Sequence, residues 1–419
     1  MAVRQAVFTV VAPIPDGGLG ALREAVATIR LDPAGNELLP FGRLDRLHFA
    51  SLVLAEGPHP SLLILELNAD GTAADCLAAL VAGAGPGLDA LFGSSDGYPG
   101  SADARAARAW LEERIVRPGA YHIGATGRTH QRIRDETRLH EAIQAFLDDE
   151  EAAGRLAGVT PASLRARVQD FVRSDRSLAW ARTSPPRQTR LEQALHRARF
   201  GGAIAAVLVL SPVLVPVLLV AVVVLRIKER TDKVQDGPPP PDHVRRLQDE
   251  EDFAAQNHLA SVIPIKPGLF RMVTLRVVLL AINLVARVLA VNGRLGDIPS
   301  IHFAHWSMID DNRHLLFVSN FDGSWESYLG DFIDKAAYGL TSVWSNTVDF
   351  PRTRLLAFDG AADGPRFRAW ARAKQCSTNA WYTAYPAATM ATIDNNTSIR
   401  EGLFATLDEK ETAAWLARL

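Results

Sequence analysis

The sequence predicts an α+β protein built from two tandem repeats, and three observations lead to this prediction. Two stretches of the chain match each other in order at a nearly constant offset, and each stretch shows the same succession of strand and helix patterns. The composition is globular: of 419 residues, 48% are hydrophobic and 22% are charged. This length allows two or three domains, and a charge-free apolar run separates the two repeats.

The repeat is visible as matched short segments. Leu47-His48-Phe49-Ala50 matches Ile301-His302-Phe303-Ala304 at an offset of 254 residues. Further matches follow in the same order: Asn68–Thr72 with Asn320–Ser324, Leu88 with Leu340, Phe92 with Trp344, Tyr98 with Phe350, Arg108–Trp110 with Arg368–Trp370, and Ala120-Tyr121 with Ala380-Trp381. Offsets of 252 to 260 residues are what small loop insertions in a duplicated domain produce.

Each repeat has the element order β-α-β-β-α-β, with one added helix before the last strand. In the first repeat the predicted elements are strand Ala6–Val11, helix Gly18–Ile29, strands His48–Leu54 and Ser61–Asn68, helices Ala73–Phe92 and Ala102–Ile115, and strand Ala120–Gly124. In the second they are strand His258–Ile265, helix Leu269–Leu289, strands His302–Ile309 and His314–Phe321, helices Trp325–Trp344 and Phe367–Lys374, and strand Asn379–Ala384. Thr72 and Asp75 are spaced as a capping box. This order is ferredoxin-like.

A ferredoxin-like sheet carries its helices on one face, so the other face needs a partner. The second repeat is the obvious partner, and we expect the two sheets to form one pseudo-symmetric barrel. The predicted organisation is repeat 1 at 1–125, a helical insertion at 126–199, a membrane segment at 200–225, a linker at 226–256, repeat 2 at 257–405 and a C-terminal tail at 406–419.

The segment Phe200–Leu225 has no charged residue over 26 positions, which is typical of a membrane segment. Basic residues flank both ends, and Pro212 and Pro216 interrupt the middle. These features favour a re-entrant hairpin with both ends on the cytoplasmic side. A single spanning helix between two independent domains and a buried core helix are the alternatives. The early apolar run Ala6–Val11 is too short for a signal peptide.

Net charge and cysteine content exclude several classes of function. The formal net charge of −2 argues against a dedicated nucleic-acid binder. Two cysteines, Cys76 and Cys376, exclude a disulfide scaffold and fit a reducing compartment. No metal-binding spacing such as His-Glu-x-x-His occurs, so no metal site is predicted.

Candidate site residues come mainly from the differences between the repeats. Repeat 2 is richer in aromatic and polar side chains, which favours a ligand pocket in that half; its candidate lining residues are Trp306, Trp344, Trp381, Tyr385 and Asn320. The alternative is that these tryptophans fill a larger core. Arg400 is a candidate for holding an anionic group, and an exposed, solvated arginine is the alternative.

His302, Asp322 and Arg354 are the candidate catalytic residues. A histidine at this strand position can act as a base or as a ligand, although a hydrogen-bonded structural role is the commoner one. Strand alternation places His302 on one face with Ala304 and Trp306. Asp322 precedes Gly323 and Ser324, which suit a left-handed turn and a helix cap, so a scaffold role is the alternative for this residue.

In element order and duplication the chain resembles the dimeric α+β-barrel superfamily, which includes dye-decolourising peroxidases, chlorite dismutases and small monooxygenases. Its segment SNFDGSWESYLGDFIDKA is similar to uncharacterised bacterial members of this barrel type. The resemblance implies haem as a cofactor and a peroxidase-like reaction. The pairs Asp70-Gly71 and Asp322-Gly323 lack the first glycine of the peroxidase motif Gly-x-x-Asp-Gly, and no histidine occupies the place of the later proximal ligand.

Two functions therefore stay open from the sequence. The first is a membrane-associated barrel that contacts membrane lipid and binds a small hydrophobic or amphipathic ligand, with a peroxidase-like oxidoreductase activity implied only by the resemblance. The second is a non-enzymatic scaffold on the membrane.

Overall fold

The protein folds into two five-stranded antiparallel sheets that lie face to face, with helices covering both outer faces. This is the architecture of a computed structural model that describes residues 4–183, 202, 212, 216–235, 237–289 and 298–419. The α+β class predicted from the sequence is confirmed. In the described residues the two sheets share no strand pairing, so they do not form the closed barrel that we expected.

Each sheet contains one strand from the other half of the chain. Sheet A has the spatial order β12 (Ala380–Thr383), β2 (Leu47–Ala55), β3 (Ser61–Asp70), β1 (Gln5–Ile14) and β4 (Ile115–Val116). Sheet B has the order β11 (Gln375–Cys376), β6 (Gln256–Pro264), β8 (His314–Asp322), β7 (Ile301–Ile309) and β5 (Ala120–Ile123). The last predicted strand of each repeat therefore pairs with the opposite repeat, β5 with β7 and β12 with β2.

The predicted helices form at nearly the predicted positions. In the first half they are α1 (Leu19–Leu31), α2 (Ala73–Gly83), α3 (Gly85–Phe92), α4 (Ala104–Glu113), α5 (His130–Ala152) and α6 (Pro161–Ser174). Residues 216–231 are helical and are called α7. The later helices are α8 (Pro241–Gln248), α9 (Leu269–Leu289), α10 (Trp325–Trp344), α11 (Gly364–Lys374), α12 (Met390–Leu403) and α13 (Glu409–Leu416). The single helix expected over Ala73–Phe92 is two helices bent by 99°.

Local capping explains where the central helices begin. Thr72 and Asp75 form the predicted capping box at α2, and Ser324 caps α10 through the backbone N–H of Ser327. Gly71 and Gly323 have φ of 98° and 83°, the left-handed conformation that glycine adopts without strain. The matched Asp-Gly segments therefore end a strand and start a helix in both halves.

Four layers bury the core. Sheet A packs beneath α1 to α4 through a large apolar cluster, and sheet B packs beneath α9 to α11 through a second one. A smaller cluster joins the inner faces, where Val53 and Ile64 of sheet A meet Leu316 and Val318 of sheet B. Face-to-face packing of two sheets buries the inner apolar faces that either sheet alone would expose.

A helical layer at one end of the sheets combines distant parts of the chain. α5 packs on α12, and α6 packs on α13, around Leu139, Val168, Leu403 and Trp415. The sequence assigned α5 to the insertion 126–199 and α12 to repeat 2. In the structure they occupy matching places, since each follows the strand exchanged into the opposite sheet.

Among the described residues, no single helix is both long and apolar enough to cross a bilayer. Only α2 and α3, taken together across their bend, meet the length and composition test, and most of their apolar residues face the core under sheet A. The predicted membrane segment 200–225 lies largely outside the described residues, which include only 202, 212 and 216–225 of it.

Candidate functional site

A buried carboxylate, Glu66 of β3, lies between the two sheets. Its Oε2 accepts hydrogen bonds from Ser51 Oγ at 2.9 Å and from His258 Nε2 at 3.0 Å. Its Oε1 accepts from Asn68 Nδ2 at 2.7 Å and from Asn320 Nδ2 at 3.2 Å. Because Ser51 and Asn68 belong to sheet A and His258 and Asn320 to sheet B, Glu66 connects both halves. We call these five residues together with His305 the inter-sheet polar cluster.

Electrostatics favour the ionised form of Glu66. Burial alone would raise the pKa of this carboxyl, but the hydrogen bond and charge of His258, the charge that His305 gains when protonated in acid and the Asn68 amide together lower it to about 2. Burial lowers the pKa of His305 to about 4, against the attraction of Glu66. His305 Nε2 lies 2.9 Å from Thr9 Oγ1, so the imidazole is held between the sheets in its neutral form.

Two His–Asp pairs lie near one end of the sheets and are related by the repeat. His302 Nε2 lies 2.7 Å from Asp322 Oδ1, and His48 Nε2 lies 3.1 Å from Asp70 Oδ1. In each pair the second carboxylate oxygen accepts a backbone N–H at the start of a helix, at 2.7 Å in both cases: that of Met390 in α12 for Asp322, and that of His130 in α5 for Asp70. The aspartates thus fix both helix N-termini to the sheets.

The two pairs differ at the other ring nitrogen. Tyr385 Oη lies 2.8 Å from His48 Nδ1, whereas His302 Nδ1 is buried and has no hydrogen-bond partner among the described residues. Ala125 stands at the position that matches Tyr385, at an offset of 260 residues, and carries no hydroxyl. Burial, with the charges of Asp70 and Asp322, raises the pKa of Tyr385 well above its ordinary value, so the phenol stays protonated and can donate.

A β-bulge turns His302 to the face of the strand opposite to the one predicted. The pairing of β7 with β8 shifts register between Ile301 and Phe303. His302 therefore does not share the face of Trp306: its ring lies 5.2 Å from that of Phe49, on the inner side of the sheet. The same shift occurs at His48, between Leu47 and Phe49. A bulge inserts one extra residue and so breaks strict alternation.

The candidate pocket residues are not gathered around one cavity. Trp381 and Asn320 do lie together, since Trp381 Nε1 donates to Asn320 Oδ1 at 2.8 Å, and Tyr385 lies 6.2 Å from His302 between ring centroids. Trp306 of β7 lies instead on the opposite face of sheet B, where it packs against Trp344 of α10. These two tryptophans therefore agree with the alternative that they fill a larger core.

The two candidate arginines lie elsewhere. Arg400 of α12 donates to the buried Glu136 at 3.1 Å and lies 4.8 Å above the Trp180 ring, so it is a structural partner within the helical layer. Arg354 is exposed on a hairpin formed by β9 (Thr353–Arg354) and β10 (Phe358–Asp359). Among the described residues, no hydrogen bond or ion pair links Arg354 to His302 or Asp322.

Haem, which the resemblance implied, does not fit the residues present. A cofactor of that size needs a cavity of several hundred Å³. Around His302 the rings of Phe49 and Tyr385 lie at 5.2 and 6.2 Å between centroids, which leaves no room for a porphyrin. A shallow groove of about 190 Å³ is present nearby, between Arg134, Thr137 and Arg138 of α5 and residues 384–388.

The most unusual feature of the surface is its exposed apolar side chains. Of seventeen large hydrophobic residues exposed in the described chain, six lie on α7 and six on α9: Val217, Leu218, Leu219, Val220, Val223 and Ile227, then Leu269, Val273, Val277, Leu280, Leu284 and Val285. Salt bridges from Asp232 to Arg271 and Lys266 join the end of α7 to the start of α9. We call these twelve residues the outer apolar surface.

Sequence reasoning missed Glu66 and His258 as members of a buried polar site. Glu66 did leave a signal, because it is a charge within the otherwise apolar run Leu62–Leu67. No protein-family model, curated protein or solved structure matches the chain.

Proposed function

We propose that the protein is a membrane-associated α+β protein whose folded body rests on a bilayer through the outer apolar surface. The observation that carries this proposal is the concentration of exposed apolar side chains on two connected helices. A helix that is apolar all round is normally buried in protein or lipid. α9 buries Leu275, Val278 and Leu279 against sheet B, yet its outward face carries six further apolar residues.

The chain path supports a segment that enters and leaves the membrane by one side. Before the segment, Leu178 and Ala181 pack into the helical layer with Leu403 and Trp415. After it, Glu229 accepts a hydrogen bond from the backbone N–H of Leu356 at 2.8 Å. Both flanks of 200–225 thus belong to one folded body, which favours the hairpin over a single span between two independent domains. A hairpin needs internal hydrogen bonds at its turn, because lipid offers none.

We also infer that each half is a ferredoxin-like repeat, with exchange of the last strand as a link between the two. The element order and the pairings of β5 and β12 support this inference. Of the two functions open from the sequence, a non-enzymatic membrane scaffold agrees better with the packed interior. The polar groups between the sheets mostly bind one another, so few are free to meet a substrate.

A flotation assay tests the membrane association. The full chain should float with phosphatidylcholine vesicles and stay bound in high salt, because apolar burial does not depend on ionic strength. Six substitutions to Gln at Val217, Leu219, Val220, Val277, Leu280 and Leu284 should lower the bound fraction at least about 100-fold, since each removes roughly 1.5–3 kcal/mol of apolar burial. The control carries Leu31→Gln and Phe253→Gln, at apolar residues exposed elsewhere. A full chain that remains monomeric in solution beside vesicles would contradict the proposal.

Cysteine labelling in sealed vesicles tests the topology. Arg176→Cys and Lys233→Cys place thiols at exposed positions on either side of the segment. Both should react with an impermeant reagent from the same side of the vesicle. Labelling from opposite sides would establish a single span and exclude the hairpin.

A second candidate function is binding of a small anionic amphipathic ligand in the groove beside Tyr385. One wall carries the exposed Arg134 and Arg138, and the facing turn is apolar from Ala384 to Ala388. A fluorescent fatty acid should bind there, and the double variant Arg134→Gln, Arg138→Gln should weaken binding, whereas Arg105→Gln on α4 should not. Equal binding by both variants would exclude this site.

A further inference from the structure

The β9–β10 hairpin carries exposed apolar side chains beside α7. Leu355 is 44% exposed and Phe358 is 42% exposed, and Tyr338 of α10 is 67% exposed. The Phe358 and Tyr338 rings are in edge contact, with centroids 5.8 Å apart. Apart from Leu31 and Phe253, every large exposed hydrophobic residue of the described chain lies here or on the outer apolar surface.

Backbone strain holds this hairpin in an uncommon conformation. Leu355 and Leu356 have φ of 53° and 67°, and Asp359 has φ of 64°. Left-handed backbone is uncommon and strained for residues other than glycine. Such strain persists only where surrounding contacts impose it, and it occurs preferentially at functional positions.

The contacts that impose it come from α7. Glu229 is buried and accepts hydrogen bonds from Thr353 Oγ1 at 3.2 Å, Leu355 N at 3.1 Å and Leu356 N at 2.8 Å. Arg226 pairs with the same carboxylate and also donates to the Thr353 carbonyl. The hairpin is therefore attached to α7, the helix that continues from the apolar segment 200–225. It presents Leu355 and Phe358 outward next to this helix.

Exposed cations surround the same place. Arg354 lies with its guanidinium 5.6 Å from the Phe358 ring, and its ion pair with Asp359 is 3.6 Å long and open to solvent. Arg352 and Arg230 are exposed as well. Aromatic and cationic residues next to an apolar anchor are typical of the level of lipid head groups.

We propose that residues 352–359 form a second membrane contact, in which Leu355 and Phe358 enter the interface of an anionic bilayer and Arg352 and Arg354 bind lipid phosphates. This inference rests on the proposed membrane association and adds a preference for anionic lipid. The occupant is a lipid surface because the hairpin continues the outer apolar surface through Glu229 and because residues 352–359 carry two arginines and one acidic residue, Asp359. Here Glu229 is a positioning residue.

Depth-dependent fluorescence tests the contact. Leu355→Cys and Phe358→Cys are made separately in the full chain and labelled with an environment-sensitive dye. Burial raises the pKa of Cys76 to about 12 and that of Cys376 to about 11, so labelling at neutral pH selects the introduced thiol. On vesicles of phosphatidylcholine and phosphatidylglycerol in equal parts, both dyes should shift to the blue and be quenched by brominated lipid. A dye on Leu31→Cys should do neither.

The lipid preference provides a second readout. Arg354→Gln should lower the preference of the Phe358 dye for the anionic vesicles over pure phosphatidylcholine by about fivefold, the contribution of one cation at a charged surface. If the chain floats while both dyes stay in water, the hairpin contact is wrong and the membrane association stands. If the chain does not float, both proposals fall. A blue shift without vesicles would show self-association and overturn the lipid contact.

Discussion

At the scale of single residues, Glu66 is the most consequential side chain in the interior. It accepts hydrogen bonds from β2, β3, β6 and β8, so one carboxylate connects strands of both sheets. A buried charge is tolerated only when its partners replace water. The matching position in the second half of the chain is Val318, 252 residues later, so only one of these two matched positions carries a carboxylate.

The pKa shifts predict how stability depends on pH. The pKa of His305 falls from 6.5 to about 4 on folding, so between these values the unfolded chain binds a proton that the folded chain does not. The pKa of Glu66 falls from 4.5 to about 2 on folding, so between these values too the unfolded chain binds a proton that the folded chain does not. Stability should therefore decrease as the pH falls from about 6.5 towards 2.

Denaturation of the detergent-solubilised chain checks this prediction. Between pH 6.5 and 4, the free energy of unfolding of the variant His305→Gln should change with pH less steeply than that of the unmodified protein. The difference in slope should be about 1.4 kcal/mol per pH unit, which corresponds to one proton. His314→Gln, at the outer end of β8, is the matched control. An unchanged slope in His305→Gln would show that another group titrates in this window.

At the scale of elements, the two His–Asp pairs are explained by the helices that they position. Asp70 and Asp322 each bind a histidine through one oxygen and a helix N-terminus through the other. This duplicated arrangement supports the scaffold role of Asp322 over the catalytic role. Negative charge at a helix N-terminus is also stabilising by itself.

Matched asparagine variants separate the two roles. Asp70→Asn and Asp322→Asn should each destabilise the protein by about 1.5–3 kcal/mol, because a charge-assisted acceptor is lost. Hydrogen exchange should then increase at the start of α5 in the first variant and at the start of α12 in the second. A variant with unchanged exchange and stability at its own helix would contradict the structural role.

At the scale of the whole molecule, strands and helices from both halves of the chain pack together. β5 adds four residues to sheet B, and β12 adds four to sheet A. The helical layer adds further contacts between α5 and α12. The flanks of the apolar segment 200–225 and the linker at 226–256 therefore join parts of one body, and they do not separate two independent domains.

Cleavage of the linker tests this integration. A protease site placed at the exposed Gly237 would divide the chain into two fragments without cutting a described strand. The fragments should elute together in detergent under native conditions and separate in denaturant, since Cys76 and Cys376 are free thiols and no disulfide joins them. Fragments that separate under native conditions would show that strand exchange does not hold the halves together.

The order and bounds of most elements could be predicted from the sequence, because they depend on local patterns. α9 and α10 begin and end at the predicted residues, and the capping box at Thr72 and the cap at Ser324 form as their spacing indicated. The two-residue strands β4 and β11 and the bend between α2 and α3 were not predicted. Such short or interrupted elements leave almost no periodicity to detect.

What only the tertiary structure decided is non-local. The sheet that β5 and β12 join, the bulges that turn His48 and His302 inward, and the partners of Glu66 all depend on residues far away in the chain. Trp306 was expected on the face of His302, and the bulge at His302 places the two residues on opposite faces of β7. The sequence by itself determined the α+β class and most of the elements, because local hydrophobic periodicity encodes them. The packing of the two sheets determined which side chains meet, because register and strand exchange depend on the whole fold.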